Sequence, residues 1–244
     1  MATKTYKLKL TAKLSDNELA NEIISKDLLS FIEIAHNKLA LRHGQLMATR
    51  HRKQTHYDQG KYPEYPDKNS DISSGEWLVS QVPDNLLDRR VEFCVPSSDL
   101  NEVQKVYEAK SKCVKSFIFD FEDTVIPSAS AIIKGYENVL KVTSSLNKDS
   151  VKELPNLMAR LRNLHLEDTV VVDENGARVI GCIVDVGLLI SSLGSNLIEL
   201  GLNPTFYIPK IEESLEATWW CDLFELAEEH FKLPKSSSKF TFLI

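Results

Sequence analysis

Residues 115–123 read Lys-Ser-Phe-Ile-Phe-Asp-Phe-Glu-Asp, and this stretch decides the fold class. Its apolar part, residues 115–121, is short and rich in phenylalanine, which predicts a β-strand. Three carboxylates, Asp120, Glu122 and Asp123, stand at the carboxyl end of the strand. The stretch therefore predicts both a sheet strand and a polar site at the point where that strand ends.

Similar short apolar runs recur on either side of this stretch and alternate with helical patterns. Helices are expected from Asp99 to about Lys110, from about Asp185 to Leu200 and from about Ser214 to His230. A hairpin that turns at Asn175-Gly176 is expected between residues 170 and 180, because Asn-Gly favours a two-residue turn. Further strands are predicted at 91–95, 156–160, 206–208 and 239–244. Alternation of this kind indicates βα units and a parallel sheet.

The first third of the chain has a different texture. Residues 15–57 have helical periodicity, and Ser15 with Glu18 forms a capping-box start. Residues 58–75 are rich in Pro, Asp, Ser, Gly and Tyr, which is typical of a long loop or linker. We therefore expect two regions: a helical region with its linker over residues 1–85, and the first part of a βα barrel, truncated, over residues 86–244.

Five strands are fewer than the eight that a closed βα barrel needs. The last predicted strand, residues 239–244, runs to the end of the chain and would leave unpaired backbone groups at a sheet edge. Two interpretations stay open from the residues alone. The sheet is either a truncated barrel or a small doubly wound sheet in which this last strand is internal.

The net charge and the apolar content of the chain indicate which classes of partner are not expected. The 244 residues carry a formal net charge of −6, so a polyphosphate would be repelled and nucleic-acid binding is not expected. The one basic run, residues 50–53, is interpreted as a solvated helix face. The most apolar stretch, residues 179–190, is short and carries Asp185, so no membrane span is expected. The spacing of the four cysteines favours reduced thiols.

Two groups of residues could carry chemistry. Asp120, Glu122 and Asp123 at a strand end could bind a metal, orient a cation or act as a base, or they could cap the next turn and face water. Arg160 and Arg162 point the same way unless the strand ends between them. An arginine at the end of a strand could hold a carboxylate and stabilise an oxyanion. The alternative is a surface ion pair with Glu167 or Asp168.

Other residues give weaker signals. Lys210 follows the strand at 206–208 and could contact a phosphate or carboxylate, although an ordinary loop fits as well. The six histidines have no metal-ligand spacing and are interpreted as structural or exposed. Trp219 and Trp220 stand in a helical pattern with further apolar residues and are expected to pack in the core.

Taken in order, these segments resemble malate synthases of the shorter, A-type group. The helical lead-in at residues 37–39, with Arg50 downstream, resembles that of the family, and so does the approach to the first barrel strand at residues 87–92. The match continues through the acidic segment at 119–123, the arginine segment at 160–166, the strand at 206–210 and the last segment at 233–244.

The resemblance implies an α/β fold, a partial TIM (β/α)8 barrel preceded by a helical N-terminal region. It also implies a reaction, the condensation of acetyl-CoA with glyoxylate and water to malate and CoA, with Mg²⁺ as cofactor. Arg160 matches the catalytic arginine of the family. Asp120, Glu122, Asp123 and Arg162 are assigned a supporting role in the active site.

Departures from the family pattern affect these expectations. Asn163 stands where the family has glycine, and Ser191-Ser192-Leu193 replaces an aromatic and histidine stretch. The family's metal ligands and its catalytic base correspond to positions beyond Ile244. We therefore expect no metal site in this chain and no activity from the chain alone.

Two alternatives to a malate synthase stay open. One is a non-catalytic remnant or interaction module that self-associates through its last strand. The other is a CoA-ester lyase related to the citrate lyase β family, which has a similar acidic motif at a strand end. The compartment is expected to be the peroxisome or glyoxysome, or the cytoplasm.

Overall fold

The computed structural model describes residues 7–11 and 17–244 and shows an α/β fold. The α-helices are α1 (Glu18–Ile23), α2 (Lys26–Asp58), α3 (Asp71–Ser74), α4 (Leu100–Gln104), α5 (Val106–Ala109), α6 (Ala129–Thr143), α7 (Gly181–Leu189), α8 (Ser195–Glu199) and α9 (Ser214–His230). The strands are β1 (Leu8–Leu10), β2 (Glu92–Pro96), β3 (Ser116–Asp120), β4 (Asn156–Arg160), β5 (Glu167–Asp173), β6 (Arg178–Ile180), β7 (Thr205–Ile208) and β8 (Lys239–Phe242).

The main sheet is an arc of five parallel strands in the order β2-β3-β4-β7-β8, which is also their order along the chain. β2 and β8 form its two edges, so the barrel is not closed. The doubly wound interpretation, which made the last strand internal, is therefore wrong. Sequential parallel strands joined by helices are the geometry of a βα barrel, and the arc is a partial barrel of this kind.

The crossover helices form a layer on one face of the arc. α4 packs against α6, and α7 packs against α9. Phe206 of β7 and Phe240 of β8 are neighbours in the sheet register, and both contact the ring of Phe224 on α9, with centroids 4.9 and 5.0 Å apart. Trp219 and Trp220 of α9 are fully buried, which confirms the packing role predicted for them. The apolar side chains of the strands thus hold the helices against the sheet.

A second, antiparallel sheet lies apart from the arc, in the order β1-β5-β6. Its β5–β6 hairpin was predicted from Asn175-Gly176, and Gly176 has a φ of +82°, which glycine adopts without strain. The β1 strand was not predicted. It pairs Leu8 with Asp173 and Leu10 with Val171, so its partner lies some 160 residues away in sequence, where a local pattern gives no signal.

The N-terminal helical region is dominated by α2, which has 33 residues. Ser25 is its N-cap and accepts a hydrogen bond from the Leu28 backbone N–H at 3.1 Å. The preceding helix α1 has Asn17 as its N-cap, and Ser15 of the predicted capping box lies outside the described residues. α2 packs against α7 and α9. Its buried face includes the apolar residues that recur at helical spacing in the sequence: Leu28, Phe31, Ile32, Ala35 and Leu39. The boundary at residue 85 stays a prediction.

The helix predicted over residues 185–200 begins earlier and is interrupted. It starts at Gly181 and passes through a π-helical turn, Ile190–Gly194, before α8. Gly201 ends it with a φ of +79°, as predicted. By length and composition Gly181–Glu199 could cross a membrane, although most of it is buried inside this fold, as in the core helix of many soluble proteins. Its Asp185 is fully buried and has a partner in the core, described below.

Candidate active site at the carboxyl ends of the strands

Asp120 and Arg160 are paired residues at the ends of neighbouring strands. The register of β3 with β4 places Asp120 opposite Arg160, and that of β4 with β7 places Arg160 opposite Tyr207. Since all five strands are parallel, their carboxyl ends meet at one rim of the arc. This is the rim where βα barrels carry their active sites.

Asp120 binds the Arg160 guanidinium with both carboxylate oxygens. Arg160 donates from Nε to Oδ1 at 2.8 Å and from Nη2 to Oδ2 at 2.6 Å. The turn after β3 also donates to Asp120, from the backbone N–H of Glu122 at 2.9 Å and from the Thr124 hydroxyl at 2.6 Å. Burial alone would raise the pKa of Asp120, but the hydrogen bonds from Arg160 and Thr124 leave it lowered. The carboxylate therefore stays charged and fixes the orientation of the arginine.

The two other carboxylates of the acidic segment are held by Lys210. Its Nζ lies 2.8 Å from Asp123 Oδ1 and 2.9 Å from Glu122 Oε1. Arg160 Nη1 lies 3.4 Å from Asp123 Oδ2. Hydrogen bonds to Asp123 and Glu122 raise the pKa of Lys210, so its ammonium stays protonated. The residues predicted separately from three strand ends thus form one group, the rim cluster, which consists of Asp120, Glu122, Asp123, Arg160 and Lys210. In this cluster three carboxylates surround two cations.

Asn163 is a neighbour of the rim cluster that sequence reasoning noted only as a departure. Its side chain is buried and donates from Nδ2 to Glu122 Oε1, and its Oδ1 accepts from the His165 backbone N–H at 3.0 Å. A glycine here could make neither contact. The asparagine therefore fills space beside Glu122 and supports the loop after β4.

His165 also lies beside the cluster. Burial lowers its pKa, and the positive charges of Lys210 and Arg50 lower it further. The imidazole is therefore neutral near pH 7. Its position could not be predicted from sequence, because no recognisable ligand spacing surrounds this histidine.

All four cysteines are free, as predicted. Cys94, on the edge strand β2, is the one whose pKa responds to the cluster. Burial and the negative charge of Asp120 raise the pKa of its thiol to about 11. The thiol stays protonated at neutral pH and is a poor nucleophile.

Arg162 does not join the cluster. The strand ends at Arg160, so the two arginines bind different carboxylates. Arg162 is fully buried, donates from Nε to Asp185 Oδ1 at 2.9 Å and places Nη2 2.8 Å from Asp168 Oδ2. The predicted pairing with Asp168 exists, but a surface location for it is wrong. A supporting role for Arg162 at the active site stays a prediction.

The buried Arg162 site is closely packed and charged. The Tyr136 hydroxyl donates to Asp185, and the Arg162 backbone N–H donates to the same carboxylate at 2.8 Å. A Cβ at Gly181 would come within 2.9 Å of the Leu166 backbone oxygen and 3.2 Å of the Arg162 guanidinium carbon, so a side chain there would force the backbone or the arginine to shift. Burial alone would lower the pKa of Arg162, but Asp185 and Asp168 hold it well above its usual value.

The basic run on α2 is only partly a solvated face: His51 and Arg52 are exposed, as interpreted from sequence, but Arg50 and Lys53 are not free in solvent. The Arg50 side chain is only 14% exposed. It donates to both carboxylate oxygens of Glu216, at 2.6 and 2.8 Å, and to the Lys210 backbone carbonyl at 2.7 Å. Lys53 Nζ lies 2.6 Å from Glu213. The interpretation failed for Arg50 and Lys53 because their partners lie about 160 residues further along the chain, on and before α9.

Comparison with known proteins agrees with this arrangement. Residues 156–244, which include Arg160, Arg162 and Lys210, match the family described as malate synthase, TIM barrel domain. Malate synthase A of Escherichia coli (strain K12) is 30% identical over an alignment that covers 100% of this chain and 46% of that protein. Over its whole length the chain is similar to a malate synthase.

Further relatives support the same assignment. The glyoxysomal malate synthase of Gossypium hirsutum is 30% identical over 94% of this chain and 42% of its own length. The glyoxysomal malate synthase of Candida tropicalis is 27% identical over 92% and 42%. The chain thus spans less than half the length of these malate synthases.

The residues present do not offer a site for the Mg²⁺ implied by the resemblance to malate synthases. Most of the oxygens of Asp120, Glu122 and Asp123 face Arg160, Lys210, Asn163 and backbone donors. Glu122 Oε2 is buried without a hydrogen-bond partner, and one such oxygen is too few to hold the ion. Across residues 7–11 and 17–244, no three His, Cys, Asp or Glu side chains are grouped so as to hold a metal ion. No step can be derived through a metal from these residues, and the Mg²⁺ requirement stays a prediction.

Proposed function

We propose that this chain forms the helical region and the first strands of a malate synthase-type barrel, and that its rim cluster binds glyoxylate in the condensation with acetyl-CoA and water that gives malate and CoA. The observation that carries this proposal is the arginine at the carboxyl end of β4. Arg160 is held by Asp120 through Nε and Nη2, and its side chain is still 17% exposed. Similarity to the malate synthases supports the choice of substrates.

Arg160 supplies a fixed positive charge in this account. The hydrogen bonds to Asp120 raise its pKa, so it does not exchange its proton during the reaction. Nη1, which Asp120 does not bind and which lies 3.4 Å from Asp123 Oδ2, is the donor proposed for an incoming oxygen, which would replace that longer contact. Attack of the acetyl carbon on the aldehyde of glyoxylate turns the aldehyde oxygen into an alkoxide. A guanidinium already oriented toward that oxygen stabilises the charge without further reorganisation.

Asp120 and Lys210 hold charge rather than move protons. Asp120 has a lowered pKa and Lys210 a raised one, so both stay ionised near neutral pH. Neither is poised to abstract a proton from the acetyl group. We therefore propose that the 244-residue polypeptide binds glyoxylate but does not by itself catalyse the condensation.

Glyoxylate binding tests the first part of this proposal. In isothermal titration with glyoxylate, the unaltered chain is expected to give a saturable signal that Arg160→Lys weakens about tenfold or more, since a lysine cannot form the bidentate contact with Asp120. Arg178→Lys is the matched control, because Arg178 is an exposed arginine on β6, outside the cluster. Equal affinity of the Arg160→Lys variant and the unaltered chain would contradict the proposal.

Turnover tests the second part. Release of free thiol from acetyl-CoA, with glyoxylate and Mg²⁺ present, is expected to stay at the rate of the protein-free mixture. Clear turnover that disappears in Arg160→Lys would show that the purified chain is itself an enzyme. That outcome would overturn the inactivity proposed here while leaving the role of Arg160 intact.

A second candidate function is favoured by the open edge of the arc. Among the described residues, β8 pairs with β7 alone, so the backbone groups on its outer side face away from the sheet. The side chains of Lys239–Phe242 are half-buried. An edge of this kind can pair with another strand. An interaction module would self-associate through β8. The N–H groups of Lys239 and Leu243 donate to β7, so by strand alternation the Phe242 N–H faces outward, and Phe242→Pro would then shift the mass in light scattering toward the monomer. A monomeric unaltered chain at all concentrations would exclude this candidate.

The names of the relatives also indicate a cellular compartment for the chain. Several relatives are named glyoxysomal, and others are bacterial malate synthases. A peroxisomal or glyoxysomal location, or a cytoplasmic one, agrees with this range of relatives.

A further inference from the structure

We propose that Arg50 on α2 is a positioning residue for the rim cluster, a role that rests on the function proposed above. Arg50 does not contact the acidic segment itself. It binds the backbone of Lys210, and the side chain of Lys210 binds Glu122 and Asp123. The helix α2 would thereby set the position of the Lys210 ammonium, one of the two cations of the rim cluster.

The guanidinium of Arg50 is fully engaged at the seam between α2 and α9. Nε and Nη2 donate to Glu216, Nη2 also donates to the Lys210 carbonyl, and Nη1 lies 3.4 Å from Glu212 Oε1. Glu216 is fully buried and also accepts from the Glu212 backbone N–H at 2.8 Å. Burial alone would raise the pKa of Glu216, but the bonds from Arg50 and Glu212 leave it lowered, so the pair is ionised on both sides.

Lys210 needs such a clamp because of its backbone. Its φ is +57°, in the left-handed region that residues other than glycine, asparagine and aspartate seldom adopt. Two hydrogen bonds fix the adjoining peptide: Arg50 donates to the Lys210 carbonyl, and the Ile211 N–H donates to Leu243 at 2.9 Å. Removing the donor at position 50 would leave one of these two hydrogen bonds, so the left-handed backbone of Lys210 would relax more readily and the ammonium would move away from Glu122 and Asp123.

Lys53 offers a matched comparison on the same seam. It lies one helical turn after Arg50 and binds Glu213, but it has no contact with Lys210. If the basic run served only to dock α2 on α9, loss of either residue would have the same consequences. If Arg50 positions Lys210, only its loss would change the environment of the Lys210 ammonium.

The test is reductive methylation of lysines with formaldehyde and cyanoborohydride, read by peptide mass spectrometry on the full chain. In Arg50→Gln, the rate at Lys210 is expected to rise several-fold relative to Lys112, an exposed lysine far from the seam. Lys53→Gln is expected to leave the Lys210 rate unchanged. Arg50→Lys, which keeps a charged donor, is expected to restore part of the protection, which a loss of general packing would not explain.

Unfolding midpoints in urea are measured for each variant, so that labelling is compared among folded proteins only. If Arg50→Gln does not fold, Glu216→Gln takes its place, since it removes the carboxylate that holds Arg50 and predicts the same rise at Lys210. Equal labelling of Lys210 in the Arg50, Glu216 and Lys53 variants would overturn the positioning role. Because the labelling needs no substrate, this outcome is distinct from a failure of glyoxylate binding, which would overturn the proposed function instead.

Discussion

Arg160 and Arg162 stand two residues apart and occupy very different surroundings. Arg160 ends a strand, binds one carboxylate with both donors on one edge and keeps part of its side chain exposed. Arg162 lies past the strand end and is enclosed by Asp185, Asp168 and the hydroxyl of Tyr136. The comparison shows that an arginine in this fold can lie at the rim of the sheet or bind carboxylates in the core. The point at which β4 ends decides between the two locations.

The largest effect should come from removing the buried arginine. Arg162→Met would leave Asp185 and Asp168 as uncompensated charges in the core and is expected to lower the free energy of unfolding by about 3–5 kcal/mol. Urea denaturation followed by far-UV circular dichroism measures this. Arg178→Met, at an exposed site, should cost less than about 0.5 kcal/mol. A cost for Arg162→Met as small as that of the control would mean that the buried pair contributes little.

Removing Arg160 should lower the stability less than removing Arg162 does, and it should weaken glyoxylate binding more. Arg160→Met is expected to lower the free energy of unfolding by about 2 kcal/mol, since Asp120 loses two charge-assisted bonds but keeps its contacts to Thr124 and to the backbone. The same denaturation experiment checks this value. If Arg160→Met proved more destabilising than Arg162→Met, the division between the two arginines would be wrong.

A smaller effect should follow from trimming the buried site without removing its charges. Tyr136→Phe deletes the hydroxyl that donates to Asp185 and is expected to cost about 1.5 kcal/mol, the low end for a hydrogen bond to a charged group, because Asp185 keeps its contacts to Arg162. Stability measurements on Tyr136→Phe, Arg162→Met and the double variant would then reveal coupling between the two residues. Strict additivity would argue against a shared network around Asp185.

The smallest effect concerns pH. Since Asp120 has a lower pKa in the folded chain than its ordinary value of 3.8, its contribution to stability is present above that value and is lost as the pH falls through the folded pKa. Asp120→Asn is therefore expected to show a flatter decline of unfolding free energy than the unaltered chain between about pH 5 and about pH 3. Parallel curves for the two proteins would contradict the lowered pKa.

The sheet and its helices could be predicted because their signals are local. The strand at residues 156–160 and the helix at 214–230 were predicted with the bounds that the structure has. The rim position of Asp120 and Arg160 then follows from parallel topology alone. Neither prediction needed knowledge of a distant partner.

The charged contacts could not be predicted in the same way. The partners of Arg50 lie about 160 residues away, and Asp185 lies 23 residues from Arg162. One signal was present but incomplete: an aspartate within an apolar stretch must find a partner when that stretch is buried. The sequence does not say which cation supplies it, because that depends on where β4 ends.

The central claim is that Arg160 faces the substrate and Arg162 does not. Proton–nitrogen NMR of the arginine Nε–H groups during titration with glyoxylate tests it most directly, since both side chains are observed in one sample. We predict a saturable shift of the Arg160 signal, with the Arg162 signal unchanged. A signal from Arg160 that stays fixed at saturating glyoxylate, or a shift at Arg162 in its place, would contradict the account.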